Sequence, residues 1–148
     1  MNGHHLTLGT LVDFVTGATL EDTHDERYRQ KLAMLLVNER GYPRQALECR
    51  HPVPILAGNK RARLKADILV TMNGEYRMLV QYGPGSIVSR RRPALALSRI
   101  VAPYQIPLVV ATNGETADIM EGVSGKVLAQ GLASIPEPAA LIRLTDRP

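Results

Sequence analysis

The sequence predicts an α/β domain, a mixed β-sheet flanked by helices, and three observations carry that prediction. Two β-rich runs, residues 66–71 and 76–81, bracket Asn73-Gly74, the strongest short-range sign of a tight hairpin. Helix-like segments with stop or start signals lie on either side of that hairpin. A nearly continuous apolar run, residues 106–112, has the pattern of a strand buried on both faces. Helix, hairpin, helix, strand and strand in that order make a sheet with helices against it.

Each element follows from local chemistry. Residues 6–15 alternate unevenly and end at Thr16-Gly17, as an early strand or extended arm would. Thr23 and Glu26 have the spacing of a capping box, in which the hydroxyl takes one free N–H and the carboxylate reaches back to another. Tyr28, Leu32, Leu35 and Leu36 follow near helical spacing, Gly41 suits the left-handed cap, and Pro43 confirms the stop. Residues 47–54 read as a short strand whose prolines limit its pairing, followed by a Gly58-Asn59 turn. After Gly83-Pro84-Gly85, residues 93–101 read as a helix that starts at Ser89 or Pro93 and is stopped by Pro103. Asn113-Gly114 leads to a strand at 116–120, Ser124-Gly125 turns the chain, and 126–132 reads as a short helix. The tail from Pro136 is rich in Pro and Ala. A chain of 148 residues makes one domain, residues 1–148, with the N-terminal arm and this tail peripheral to it.

Charge is distributed unevenly. Between Cys49 and Gly114 there are ten Lys or Arg residues and two carboxylates, Asp67 and Glu75, whereas the flanking segments hold eight basic and twelve acidic residues. The overall +4 therefore conceals a middle near +8, a field suited to a polyanion. Aromatic residues are only 4% of the chain and Trp is absent, so the core is aliphatic and stacking on bases is poorly supplied. A single cysteine, Cys49, excludes an intrachain disulfide, and no run of eighteen apolar residues is present. With no basic, hydrophobic leader at its start, the chain is expected in the cytoplasm, without a membrane partner.

Asp67 is one of the two carboxylates inside the basic middle. Strand alternation would put Lys65, Asp67 and Leu69 on one face, and a hairpin centred on Asn73-Gly74 would place Gln81 opposite Ala66 or Asp67. A carboxylate, an amide and an ammonium would then converge. Such a group could hold Mg²⁺, which prefers oxygen ligands and retains several waters. The alternative is a structural carboxylate paired with Lys65 or Arg63. Glu26 has a similar choice between the capping box and a metal on the neighbouring strand. Lys60, Arg61, Arg63 and Lys65 are four cations within six residues, and Arg90, Arg91 and Arg92 stand near a helix start, with Arg99 about two turns further on; cations at such a start are disfavoured unless they serve something outside the helix. Both groups suit phosphate contact. His4, His5, His24 and His51 have no zinc-binding spacing, and Gly83-Pro84-Gly85-Ser86 lacks the length and the Lys-Ser/Thr of a phosphate loop, so no nucleotide cofactor is expected.

In this order the motifs resemble the N-terminal domain of type I restriction enzyme R subunits, a branch of the restriction-endonuclease-like PD-(D/E)xK superfamily. The resemblance spans about residues 13–135. It rests on Glu26-Arg27-Tyr28-Arg29-Gln30, Glu39-Arg40-Gly41-Tyr42-Pro43, Lys65-Ala66-Asp67-Ile68 and Leu108-Val109-Val110-Ala111-Thr112-Asn113-Gly114. It implies a restriction-endonuclease-like sheet, with Asp67 as the strand acid and Glu26 as the helix acid of a Mg²⁺ site. Gln81-Tyr82-Gly83 stands where such nucleases carry Glu-x-Lys. An amide thus replaces the second metal carboxylate and a glycine replaces the lysine, with Lys65 as a substitute cation.

The resemblance implies a degenerate nuclease domain, catalytically silent, that binds DNA through Lys60, Arg61, Arg63, Arg90, Arg91, Arg92 and Arg99. Two alternatives stand beside it. One is an active Mg²⁺-dependent endonuclease using Asp67, Gln81, Glu26 and Lys65; the other is a structural module that binds a protein partner or a second copy of itself. A chain of this length does not hold the ATP-driven motor of a complete R subunit.

Overall fold

The computed structural model describes residues 9–146. A small antiparallel pair opens it, β1 (Thr10–Val12) and β2 (Thr19–Glu21). Helix α1 (His24–Met34) follows, continued by a wider π-helical turn at Leu35–Glu39. Strands β3 (Leu47–Ala57), β4 (Lys60–Met72) and β5 (Glu75–Tyr82) precede helix α2 (Val88–Ser98). Strands β6 (Leu108–Thr112), β7 (Ala117–Glu121) and β8 (Val127–Gln130) and helix α3 (Pro138–Thr145) complete the chain. The six-stranded sheet runs in sequence order from β3 to β8 and is antiparallel throughout, except that β5 and β6 are parallel and joined through α2. The predicted mixed sheet flanked by helices is therefore the fold.

Two apolar layers fix the helices. On one face Leu32 and Ala33 of α1, Leu36 of the π-helical turn and Leu141 of α3 pack with Ile68, Val70, Met78, Val80 and Val110. On the other, Ala94 and Leu97 of α2 pack with Leu69, Leu79, Val109 and Met120. Strand β6 is buried along its whole length, as a central strand covered on both sides must be. The Asn73-Gly74 turn forms as predicted, both residues at positive φ, which matches the twist of the strands it joins.

Several expectations change. Thr23 caps α1 by accepting from the Glu26 N–H at 3.1 Å, but Glu26 does not complete the capping box: its carboxylate is bound by Arg29, Gln30 and Arg50. Strand β3 is longer than expected and pairs with β4 through both Pro52 and Pro54. It is an edge strand, and residues two apart turn their nitrogens the same way, so neither proline interrupts the ladder. Helix α2 starts at Val88, earlier than predicted, and tolerates Pro93 in its interior. Residues 127–130, expected within a helix, pair with β7 instead. The Pro- and Ala-rich tail contains α3, whose Leu141 is fully buried; Pro138 supplies its first position, where a missing N–H costs nothing. Residues 6–8 of the proposed N-terminal arm lie outside the described residues, as do His4 and His5. No helix among the described residues is long and apolar enough to cross a membrane.

Candidate functional site

Strand β5 ends at Tyr82 beside the parallel strand β6, and the crevice at the carboxyl ends of parallel strands is where open α/β sheets bind ligands. A cleft of about 620 Å³ lies there, lined among others by Glu26, Arg29, Arg50, Lys65, Asp67 and Gln81. Helix α1 supplies its near wall. The stripe that α1 turns inward is polar in the first turns (Glu26, Arg29, Gln30) and apolar later (Ala33), with Leu36 continuing it beyond. One helix face thus serves the cleft at one end and the core at the other.

Arg29 stands between the two acids expected to hold Mg²⁺. Its Nη1 donates to Glu26 Oε1 at 2.6 Å, and its Nη2 and Nε donate to Asp67 Oδ1 at 2.7 and 3.1 Å. All three side chains are less than a tenth exposed. The other Asp67 oxygen accepts from the Tyr82 N–H at 2.8 Å. Burial depresses Arg29, but Asp67 and Glu26 outweigh it and raise its pKa above the ordinary value. Burial pushes the Asp67 carboxyl up, against the opposing pull of Arg29. The pairing partner of Asp67 is therefore Arg29, and neither Lys65 nor Arg63 as the sequence suggested.

Of the two positions left open, Ala66 and Asp67, Gln81 lies opposite Asp67, because the ladder shifts by one residue between Val70 and Thr71; its amide is turned to the backbone of β4. Its Oε1 accepts from the Asp67 N–H at 2.8 Å and its Nε2 donates to the Lys65 carbonyl at 2.9 Å. It continues the sheet beyond the last regular β4–β5 pair, Ile68 with Val80. Strand alternation fails here too. Asp67 turns to α1, whereas Leu69 packs under α2, so the two do not share a face. The distortion coincides with Arg50, directly across β3, which adopts φ 57° and reaches into the cleft.

A second layer supports the first. Arg50 donates to Glu26 Oε2 and Asp13 Oδ2, each at 2.9 Å, and Gln30 donates to Asp13 Oδ1 at 2.8 Å and Glu26 Oε2 at 3.0 Å. Asp13 also accepts from the Thr16 hydroxyl at 2.7 Å. Burial raises the Asp13 carboxyl, but the hydrogen bonds from Gln30, Thr16 and Arg50 and the Arg50 charge leave it below the usual range. Two guanidiniums and an amide thus saturate three carboxylates. These residues do not fit a Mg²⁺ ion as they are arranged, because the oxygens that would face it, Glu26 Oε1 and Asp67 Oδ1, already accept from Arg29.

The predicted cations divide. Arg91 is tied to buried Asp118, and Arg99 reaches the Gly122 carbonyl at 3.4 Å. Arg63, Lys65 and Arg92 are exposed, and Arg90 is half-buried. Among the described residues these four enter no ion pair. Residues 60–66 of β4 pair with β3 alone, so this hairpin runs past β5 as a two-stranded ribbon carrying Arg63 and Lys65. Lys60 and Arg61 lie on the ribbon, but their side chains are outside what is described.

Asp13, Arg29, Gln30 and Arg50 were not singled out in the sequence. For Arg29 and Gln30 a signal existed: they stand three and four residues after Glu26, on the helix face that leads into Ala33. Asp13 and Arg50 are brought in by tertiary structure alone.

The fold and cleft define an α/β domain with an acid-containing crevice at the end of a parallel strand pair. Residues 24–136 match the family described as type I restriction enzyme R protein N terminus (HSDR_N), and the chain belongs to that family. It is a nuclease-related or DNA-related module. Neither a curated protein nor a solved structure matches the chain.

Proposed function

We propose that this chain is a PD-(D/E)xK-like domain whose nuclease centre is closed and which binds nucleic acid without cutting it. The observation that carries the proposal is Arg29, whose guanidinium bridges Glu26 and Asp67 at 2.6 and 2.7 Å. A tethered, permanently charged side chain takes the place between two acids that a divalent cation needs. The Gln81 amide is consumed by the backbone of β4 and adds no ligand. Lys65 and Arg63 remain on the ribbon, and a two-stranded ribbon is one of the shapes that a duplex major groove admits.

The test pairs cleavage with binding. The chain is incubated with supercoiled, linear and single-stranded DNA in Mg²⁺ or Mn²⁺, and its affinity for a labelled duplex is followed from 50 to 200 mM salt. No cleavage is expected. If Arg63, Lys65, Arg90 and Arg92 each neutralise one phosphate, the logarithm of affinity falls with the logarithm of salt with a slope of about −3.6. Metal-dependent cleavage that disappears in Asp67→Ala would instead establish an active endonuclease. Salt-insensitive capture of a protein, without DNA binding, would establish an interaction module.

A further inference from the structure

Beside the Asp67 cleft, on the α2 side of Gln81, lies a smaller cavity of about 160 Å³ lined by Leu64, Lys65, Gln81, Tyr82, Arg90 and Leu97, with Pro93. Two of these are cations, and among the described residues neither meets a carboxylate. Arg90 is the unusual one. Its guanidinium makes no hydrogen bond among the described residues; Nε is buried, which leaves the terminal nitrogens to meet an anion.

The backbone makes room for it. Gly83 is buried, and a Cβ added there would lie 2.6 Å from Arg90 Cδ and 3.2 Å from Cζ, with Nη1 nearer still. The Arg90 side chain thus lies in the volume that any larger residue at position 83 would take. Gly83 has no positive φ that would demand glycine, so close approach is the physical reason for it. A guanidinium laid along the strand end and an ammonium at Lys65 provide several N–H donors and no acceptor.

We infer that Arg90 and Lys65 form a phosphate subsite in this cavity, with Gly83 as the gap through which Arg90 enters. The chemistry recognised is a phosphate oxygen, from either a nucleic-acid backbone or free phosphate. The inference rests on the nucleic-acid reading above only in choosing the backbone as the natural source. It also separates the two halves of the site: the acids are neutralised internally by Arg29 and Arg50, while the cations of this cavity stay available to an anion.

The experiment uses the full chain and Arg90→Ala, Arg90→Gln and Arg90→Ala/Gly83→Lys, each checked for folding by urea denaturation. A labelled duplex and a single strand are titrated by fluorescence anisotropy, and inorganic phosphate is titrated while the Arg90 Nε–H and Gly83 amide signals are followed by NMR. Loss of one phosphate contact should weaken duplex binding roughly tenfold in Arg90→Ala and Arg90→Gln and reduce the salt slope by about 0.9. The double variant should recover binding, because truncating Arg90 vacates the space that a lysine stem at position 83 needs. Phosphate should shift both signals saturably. If the native chain binds DNA and the Arg90 variants match it in affinity and slope, the subsite is overturned while the nucleic-acid reading stands. If DNA does not bind but phosphate saturates the Arg90 signal, the subsite stands and the nucleic-acid reading falls. Absence of both overturns both, and failure of the double variant to recover any binding contradicts the role given to Gly83.

Discussion

Replacing Arg29 by alanine leaves two buried acids facing one another without the cation between them. Glu26 keeps Arg50 at 2.9 Å and Gln30 at 3.0 Å, but Asp67 retains only the Tyr82 N–H at 2.8 Å. Removing one partner of a buried ion pair costs about 3–5 kcal/mol, and because Glu26 keeps two donors the lower half of that range applies. Against a total stability of about 5–15 kcal/mol this is a large fraction. At about 3 °C per kcal/mol for a chain of this size, the melting temperature should fall by roughly 10 °C. Urea denaturation at pH 7 measures the loss directly. Its pH dependence supplies the sign: burial already holds the folded Asp67 carboxyl above its ordinary value, and without the opposing pull of Arg29 it rises further. The folded variant then binds protons more readily, and the deficit shrinks as pH falls from 7 toward about 4. A divalent cation should act similarly, adding about 1.4 kcal/mol to Arg29→Ala at ten times its Kd and nothing to the native chain. A loss below about 1 kcal/mol, unchanged by pH or by Ca²⁺, would refute this picture of the cleft.

Further consequences are equally open to measurement. Cys49 is half-buried, and burial pushes its thiol up to about 11, so iodoacetamide alkylation should climb about tenfold per pH unit from 8 to 10 without a plateau. Since the unfolded thiol ionises near 8.5, stability should decline between about pH 9 and 11, and Cys49→Ala should lack that decline. Asp13 has the opposite sign: its lowered pKa contributes stability above the unfolded value that is lost as pH falls through the folded one, so Asp13→Asn should flatten the acid limb of the stability profile. Gly122 donates its N–H to the Pro107 carbonyl at 2.8 Å, and a Cβ there would press on the Ile106 carbonyl oxygen. Gly122→Ala should therefore cost about 1–3 kcal/mol in urea, and a change within 0.5 kcal/mol would contradict the close approach.

The sheet was largely legible because its signals are local. Asn73-Gly74 set the hairpin, although the one-residue shift between Val70 and Thr71 that brings Gln81 to Asp67 rather than Ala66 has no local mark; the unbroken apolar run in β6 marked the central strand; Thr23 and Gly41 bounded the first helix. What the sequence hid depends on the third dimension. The length of β3 was obscured by prolines that only an edge strand accommodates, and nothing local marks it as an edge. Strand β8 has so few residues that its apolar spacing fits helix and strand alike. In the cleft, period-two alternation put Asp67 with Leu69, and the distortion opposite Arg50 undid it. The sequence showed the acids Glu26 and Asp67 but not their occupant. Arg29 was read as one letter of a motif because its meaning lies in contacts to residues three and thirty-eight positions away.

The central claim is that a side chain of the protein itself fills the place between Glu26 and Asp67. Titration of Mn²⁺ into the native chain and into Arg29→Ala, followed by electron paramagnetic resonance of the free ion, tests it most directly. The account predicts no saturable site in the native chain and one weak site in Arg29→Ala that vanishes when Asp67→Asn is added. A saturable site in the native chain that is lost in Asp67→Asn would contradict it.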